Sequence, residues 1–518
     1  MRFFRIALVL LCIVLLVAPL IGLVHLLLYP PPDPWGVVQD NFLQKIQSRN
    51  ILVLSRNSFL LSIAVAGTST IIGGFLAFME HRYRYRGHSW LHILSVMPLA
   101  IPSYLIAASL HRLVQNPALQ NSTLLEGFVP AWFSLVVVTT PYVQLSCGAA
   151  LRSASVTEEE ASRLLSPHWF PRFRVAIWPQ VRSAVVFSSL ICFLYAISDF
   201  GAVATLNLPV LTWELFDSIR SSDLYSASLM GAILIVLTLP ILFLAQLTIM
   251  QSPRKRVANP RPPTKDPLSF GMLILAYGVH IIIIGGGLVF PISSMVLWII
   301  EDMQRDLSFA DVWLPLWDTL ILSLIGAVCT IALAMAPAWE SVRNPHGKYL
   351  PILIYVASAL PGVLLAFTLM QSTLLITKHT GGYAFLLSSG VLLFFGYALR
   401  FLAEGFGPLF SATEQLDPRH EESAQLLNPS PQKWFSRIVF PQVRPAMLAS
   451  FLLVWLAIIK ELPVTLILGS ALGKKTLAFH IWDRYEEAFW HDAGLGGLVL
   501  IIMALICFSL TLRWRRHV

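Results

Sequence analysis

Charged side chains are scarce in this chain of 518 residues, of which Asp, Glu, Lys and Arg make up only 12%. Soluble domains usually carry about 25% charged residues, whereas hydrophobic residues here make up 56%. Apolar runs of about 20 residues recur, each long enough to cross a hydrocarbon core as a helix. The composition therefore excludes an ordinary soluble protein and indicates a helical membrane protein.

Cysteine and nucleotide-binding motifs are scarce or missing as well. The five cysteines all fall in apolar runs without paired metal-ligand spacing, so they suggest neither a disulfide framework nor a zinc site. No G-x-x-x-x-G-K-[ST] motif occurs, so we expect no nucleotide site in this chain. The net charge of +8 comes from basic segments between apolar runs, a pattern that indicates membrane orientation rather than nucleic-acid binding.

The apolar runs predict an all-α polytopic membrane protein with about 12 transmembrane helices in two sets of six. The predicted spans are 6–29, 58–79, 89–112, 131–151, 183–206, 226–249, 268–292, 316–339, 349–371, 383–404, 445–468 and 494–513. A proline-rich, basic linker at 251–267 separates a first half, 1–250, from a second half, 268–518. Placing both termini in the cytoplasm puts the basic loops on the inside, as the positive-inside rule requires.

A polar stretch occurs twice, 262 residues apart, between the fourth and fifth predicted spans of each half. The first copy contains SRLLSPHWFPRFRVAIWPQVR and the second AQLLNPSPQKWFSRIVFPQVR. Each copy predicts a short helix, a turn before proline and a second short helix on the cytoplasmic side. One such segment alone is equally typical of a helix lying on lipid headgroups, but two equivalent copies favour a partner present twice.

These two segments, about 157–180 and 417–442, resemble the E-A-A loop of ABC importer permeases. The matching positions, with Ser166 and Asn428 in place of the signature glycine, are Glu160, Ala161, Ser162, Leu165, Ser166 and Pro179 in the first copy, and Glu422, Ser423, Ala424, Leu427, Asn428 and Pro441 in the second. The resemblance implies two tandem six-helix type I (MetI-like) halves and coupling helices at these loops. It also implies two copies of a cytoplasmic ATPase, which binds the ATP and Mg²⁺, and a periplasmic substrate-binding protein.

Other segments are similar to the ferric iron permeases of the bacterial Fbp and Sfu systems and the cyanobacterial Fut system. They are MPLAIPSYLIA, SDFGAVATL and KELPVTLILGSALGKKTLAFHIWDRYEEA. The resemblance implies a bacterial inner-membrane permease, without enzymatic activity or a cofactor of its own, that imports ferric iron by alternating access. Fused permeases for thiamine, phosphonate or another small solute share this architecture and stay open as alternatives.

Asp199 and Glu461 occupy matched positions in the fifth predicted span of each half. Acids within membrane spans are costly, which makes both candidates for the substrate path and for transient metal contact, since hard cations prefer oxygen ligands. Structural pairing, for example of Glu461 with Lys460, explains them equally well.

Two other function classes compete with an importer permease. A major-facilitator-type secondary transporter also has two six-span halves, but it gives no reason for the repeated polar loop. A membrane enzyme built on the acid pair ranks last, because no nucleophile or base accompanies these acids.

Overall fold

The computed structural model describes residues 19–29, 50–114, 126–153, 173–250, 269–301, 309–344, 349–358, 360–378, 381–416 and 435–515, with single positions at 17, 162, 171, 266, 267, 347 and 433. The described residues are overwhelmingly helical, which confirms the all-α fold class. We number the α-helices α1 to α21 in chain order. Their bounds are Pro19–Leu28, Ile51–Arg82, His88–Val96, Ser103–Val114, Phe128–Ser153, Trp178–Ser198, Gly201–Thr205, Leu211–Arg220, Leu224–Met250, Phe270–Ile284, Phe290–Glu301, Phe309–Arg343, Leu350–Ser358, Gly362–Thr377, Gly382–Ser388, Val391–Arg400, Leu402–Gln415, Phe440–Ile459, Pro463–Leu468, Leu477–Glu486 and Trp490–Arg515.

Short elements of other types link some of these helices. Turns of 3-10 helix lie at Met97–Ala100 and Ser470–Leu472, and π-helical turns lie at Phe173–Ile177, Gly285–Val289 and Phe435–Val439. Strand β1, Tyr83–Arg84, pairs in parallel with β2, Asp266–Pro267. Except for the two residues of β2, the predicted linker 251–267 lies outside the described residues.

Eight helices in the described residues are long and apolar enough to cross a membrane, or ten if each of two bent helix pairs counts as one span. Shorter apolar helices at Pro19–Leu28 and Gly362–Thr377 lie where the first and ninth spans were predicted. The bent pairs, His88–Ala100 with Ser103–Leu113 and Gly382–Ser388 with Val391–Arg400, turn by 88° and 67°. Several predicted spans are therefore broken helices rather than straight ones.

The contacts divide the chain into two compact units that are not continuous in sequence. Unit 1 comprises Met1–Gln39, Leu215–Ala232 and Trp298–Val518, and unit 2 comprises Asp40–Glu214 and Ile233–Leu297. The predicted halves, 1–250 and 268–518, are defined by the sequence repeat rather than by contacts. They remain a prediction.

Unit 2 is built on the packing of α2 against α5 and α6. Its core includes Leu61, Val65, Leu135 and Ala202, all buried. Small residues permit close helix contact, as expected where no hydrophobic effect drives helices together within lipid. A Cβ on Gly73 of α2 would lie 2.7 Å from the Thr140 carbonyl oxygen of α5.

Unit 1 has its core where α12 packs against α16, α17 and α18. Tyr397 and Phe406 are among its largest fully buried side chains. The N-terminal helix α1 belongs to this unit, because the backbone N–H of Gly22 donates to Ser372 Oγ at 2.8 Å. Leu26 packs there in one cluster with Phe367.

Candidate functional site

The repeated polar segments lie largely outside the described residues. Nine of the predicted coupling positions are among those not described: Glu160, Ala161, Leu165, Ser166, Glu422, Ser423, Ala424, Leu427 and Asn428. Ser162 is described and buried, whereas Pro179 and Pro441 are exposed. The coupling role of all these positions remains a prediction.

The described end of each polar segment has the same local structure. The π-helical turns Phe173–Ile177 and Phe435–Val439 lie 262 residues apart, the offset of the sequence repeat. Each turn leads into a helix with proline in its first turn, Pro179 in α6 and Pro441 in α18. Proline is tolerated there because it lacks only an N–H that a regular first turn leaves unbonded. The duplication therefore extends to hydrogen-bond register.

The side chain of Gln180 stabilises the first of these turns. Its Nε2 donates to the carbonyl oxygen of Ala176 at 2.6 Å, which supplies a donor next to the N–H that Pro179 lacks. Val175 and Trp178 are exposed on the same segment, with 71% and 39% of their surface accessible. The described part of the segment thus presents apolar side chains outward.

Asp199 lies in the break between α6 and α7, one residue beyond the end of a spanning helix. Its Oδ1 accepts a hydrogen bond from Ser103 Oγ at 2.6 Å, and its Oδ2 accepts from the backbone N–H of Ala202 at 2.9 Å. Its carbonyl oxygen accepts from Thr212 Oγ1 at 2.7 Å. The carboxylate therefore ties two helix ends together and is fixed in position.

Glu461 lies at the corresponding break of unit 1, between α18 and α19. Its Oε1 accepts from the backbone N–H of Val464 at 3.3 Å, and its carbonyl oxygen accepts from Thr465 Oγ1 at 3.2 Å. Thr465 is hydrogen-bonded in turn to the buried Tyr397, with 2.6 Å between the two oxygens. Like Asp199, Glu461 occupies a helix break rather than the interior of a continuous span.

Two charged residues near Glu461, Arg400 and Glu404, were missed in the sequence. Arg400 donates through Nη1 to the carbonyl oxygens of Ser358 and Leu360, at 2.8 and 2.9 Å. Glu404 interacts electrostatically with Arg400, Lys460 and Glu461. Both residues interrupt an apolar stretch, which marks them as candidates in the sequence. Their proximity to Glu461 could not be predicted, because they lie far from it along the chain.

A second polar cluster, also unforeseen, joins four helices of unit 2. Glu80 of α2 lies 2.7 Å from His92 Nδ1 through Oε2, and 3.2 Å from His280 Nε2 through Oε1. Gln144 Nε2 donates to Glu80 Oε1 at 2.7 Å. Tyr85 lies next to this cluster, outside the spans. Burial raises the pKa of its hydroxyl group, and the Glu80 carboxylate raises that pKa further. The cluster holds α10 against α2 through buried hydrogen bonds.

The structure leaves the predicted metal role of Asp199 and Glu461 open. In the part of the chain that is described, no three His, Cys, Asp or Glu side chains come together in a way that holds a metal ion. The two acids belong to different compact units. Their role along a substrate path therefore remains a prediction.

Comparison with known proteins gives the chain a family. Residues 69–257 and 330–518 each match the binding-protein-dependent transport system inner membrane component family. The Fe(3+)-transport system permease protein FbpB 2 of Haemophilus influenzae is 26% identical over 466 residues, which cover 87% of this chain and 88% of that protein. The ferric transport system permease protein FbpB of Actinobacillus pleuropneumoniae is 23% identical over 487 residues, 87% of this chain and 70% of its own length.

A shorter relative matches only part of the chain. The spermidine/putrescine transport system permease protein PotC of Escherichia coli K12 is 23% identical over 201 residues, which cover 38% of this chain and 74% of that protein. Two family matches in one chain confirm the predicted tandem arrangement of permease domains. The chain is a multi-pass membrane protein that belongs to the family of binding-protein-dependent transport system inner membrane components.

Proposed function

We propose that this chain is the translocation subunit of an ATP-driven importer that moves ferric iron from the periplasm to the cytoplasm by alternating access. The observation that carries the proposal is the family match in both parts of the chain, combined with near full-length similarity to permeases named for Fe(3+) transport. Ferric iron is a hard cation, and the Asp199 carboxylate, at the end of a spanning helix, offers oxygen ligands of the kind it prefers.

The broken helices support alternating access. Asp199 and Glu461 each follow the end of a spanning helix and precede a short one, so that each break ends regular hydrogen bonding inside the apolar region. Irregular backbone at membrane depth is tolerated where it lines a cavity or is buried in protein. Breaks of this kind allow short helical segments to shift while the long helices stay intact.

Energy for transport comes, in this proposal, from two copies of a cytoplasmic ATPase that binds ATP and Mg²⁺. One copy docks at the loop 157–180 and the other at 417–442, with Glu160 and Glu422 in the docking segments. Exposed apolar side chains such as Val175 and Trp178 at the described end of the first loop support a packed interface. A periplasmic binding protein delivers the cargo to the opposite side, and both termini are cytoplasmic.

The test is uptake of radioactive ferric iron into vesicles containing this chain, its ATPase and the iron-loaded binding protein. We expect uptake to require ATP on the side of the membrane where the ATPase is bound. Uptake is expected to be unaffected when a protonophore removes the proton gradient. A matched preparation with a hydrolysis-deficient ATPase is the control. Iron uptake that persists without ATPase and collapses with the proton gradient would favour a secondary transporter instead.

The alternative cargoes are distinguished in the same vesicles. Thiamine, phosphonate or another small solute stay as alternatives, because permeases similar to this chain are also named for cargoes other than iron, such as PotC for spermidine and putrescine. ATP-dependent uptake of either solute in the absence of iron uptake would overturn the ferric assignment and leave the importer architecture standing.

A further inference from the structure

The acid at the break of unit 2 is held by a hydroxyl group and by backbone N–H groups. Ser103 Oγ donates to Asp199 at 2.6 Å, and the N–H of Ala202 donates at 2.9 Å. Among the described residues that interact with this carboxylate there is no cationic side chain. The described partners of this carboxylate are therefore hydrogen-bond donors without a net charge.

Unit 1 uses a different pair of residues at the same place. Pro102 and Pro361 match in the repeat, so Gly362 takes the place of Ser103, and Glu461 takes the place of Asp199. A Cβ on Gly362 would lie 2.8 Å from Glu461 Oε1, closer than real Cβ atoms approach. Glu461 thus occupies space that a side chain at position 362 would fill. The change from Ser103 to Gly362 and the change from Asp199 to Glu461 therefore depend on each other.

Arg400 holds the other side of this break. Its Nη1 donates to the carbonyl oxygens of Ser358, the last residue of α13, and of Leu360. A cation at a helix C-terminus is favourable, as is an acid beside a helix N-terminus, here Glu461 beside Gly362, the first residue of α14. Arg400 Nε lies 3.6 Å from the Cβ position of Gly362 and is buried without a hydrogen bond. Arg400 and Glu461 therefore both lie next to Gly362.

Opposite charges balance within this cluster. Glu404 interacts electrostatically with the basic residues Arg400 and Lys460 and with the second acid, Glu461, and Lys460 also interacts with Glu461. At the 262-residue offset that relates the two π-helical turns, the first copy has Val138, Tyr142 and Ser198 where the second has Arg400, Glu404 and Lys460. The charge cluster is thus a property of one copy of the repeat.

We propose that Arg400 and Glu461 are positioning residues that fix the break at Pro361 from its two sides, and that Glu461 is therefore not a ligand of the cargo. A carboxylate beside Lys460 and Arg400 offers less net attraction to another cation than Asp199 does, which has no cationic side chain among its described partners. This assignment rests on the proposed function for its transport readout. It makes the two matched acids unequal.

The test is a double-mutant cycle in the reconstituted transporter with ATPase and loaded binding protein. We expect Glu461→Gln and Arg400→Gln each to reduce the maximal rate of iron uptake by about tenfold, because each leaves a charge of the opposite sign beside the break uncompensated. The variant with both changes is expected to be about threefold faster than either single variant, because the remaining charges balance although both residues' contacts with the break are lost. A ligand role for Glu461 predicts the opposite, since neutralising Arg400 does not restore a missing ligand. A double variant as slow as Glu461→Gln alone would overturn the proposal.

A second pair of variants tests the packing at the break. Gly362→Ala is expected to lower the thermal midpoint and the uptake rate, and added Glu461→Asp is expected to restore both by shortening the acid. Gly407→Ala is the matched control, because a Cβ there would meet Tyr355 Oη at an ordinary 3.6 Å. Failure of Glu461→Asp to rescue Gly362→Ala would contradict the proposed arrangement. If the wild type takes up no iron, the ferric assignment fails separately from this proposal. The same comparisons between variants are then made on the thermal midpoint in both experiments.

Discussion

At the scale of single residues, the hydrogen bonds of Asp199 separate its structural role from its charge. Oδ1 and Oδ2 accept from different helices, through Ser103 Oγ and the N–H of Ala202. An amide in place of the carboxylate can turn its oxygen to the Ala202 N–H and its nitrogen to Ser103 Oγ, but it exchanges two hydrogen bonds to a charged group for neutral ones, with a cost of about 1–3 kcal/mol. Removing the serine hydroxyl removes one hydrogen bond and leaves the charge in place.

We therefore predict different results for Asp199→Asn and Ser103→Ala in vesicles. Both are expected to lower the thermal midpoint, but only Asp199→Asn is expected to abolish iron uptake, because it alone removes the negative charge from the break. Uptake and thermal stability are measured on the same preparations. Normal uptake by Asp199→Asn would remove this residue from the translocation path, and equal loss of uptake in Ser103→Ala would leave a structural role.

At the scale of helices, the sequence predicted the existence of the elements better than their shapes. Predicted spans at 58–79, 131–151 and 494–513 fall within α2, α5 and α21, because length and apolarity alone determine such helices. The break at Pro361 divides another predicted span into α13 and α14. Proline there removes an N–H, but whether a helix kinks or breaks depends on what surrounds it.

The candidate site was less predictable than the helices. The match of Asp199 with Glu461 was visible because both stand in a repeated stretch. Arg400 was not linked to them, since its contacts with Ser358 and Leu360 arise only from tertiary packing. The π-helical turns were also invisible, because composition alone does not determine the hydrogen-bond register of a short helical turn.

Helix packing in unit 2 yields a prediction with an adjacent control. A Cβ on Gly73 would lie 2.7 Å from both the Thr140 carbonyl oxygen and the Val143 Cβ, whereas one on Gly74 meets nothing within 4 Å. Gly73→Ala is expected to separate α2 from α5 and destabilise the fold by about 1–3 kcal/mol. Gly74→Ala is expected to be neutral or stabilising by about 0.5–1 kcal/mol, because alanine favours helix. Thermal denaturation in detergent measures both, and equal midpoints would contradict this close contact.

At the scale of the whole molecule, chain order and packing do not coincide. The N-terminal helix α1 and the segment Leu215–Ala232 pack within unit 1, alongside most of the second half of the sequence. A Cβ on Gly231 would lie 2.4 Å from a methyl carbon of Leu364, which shows how close this packing is. The sequence repeat divides the chain into two consecutive copies. The compact units divide it differently, because each unit contains helices from both copies. Separate expression of the two halves would break contacts within each unit.

The coupling loops give the prediction that concerns the complete transporter. Glu160 and Glu422 occupy matched positions in the two loops, so reversing both charges acts on both proposed ATPase contacts. We expect Glu160→Lys with Glu422→Lys to release the ATPase or to lower iron uptake at least about tenfold. A basic side chain then replaces an acidic one at each proposed ATPase contact, so that electrostatic attraction to the ATPase becomes repulsion. The membrane fold and its thermal midpoint are expected to stay unchanged. Glu126→Lys, an exposed position on the predicted outer side, is the matched charge reversal and is expected to leave copurification intact. Unchanged copurification and uptake in the double variant would show that these loops do not couple the permease to an ATPase.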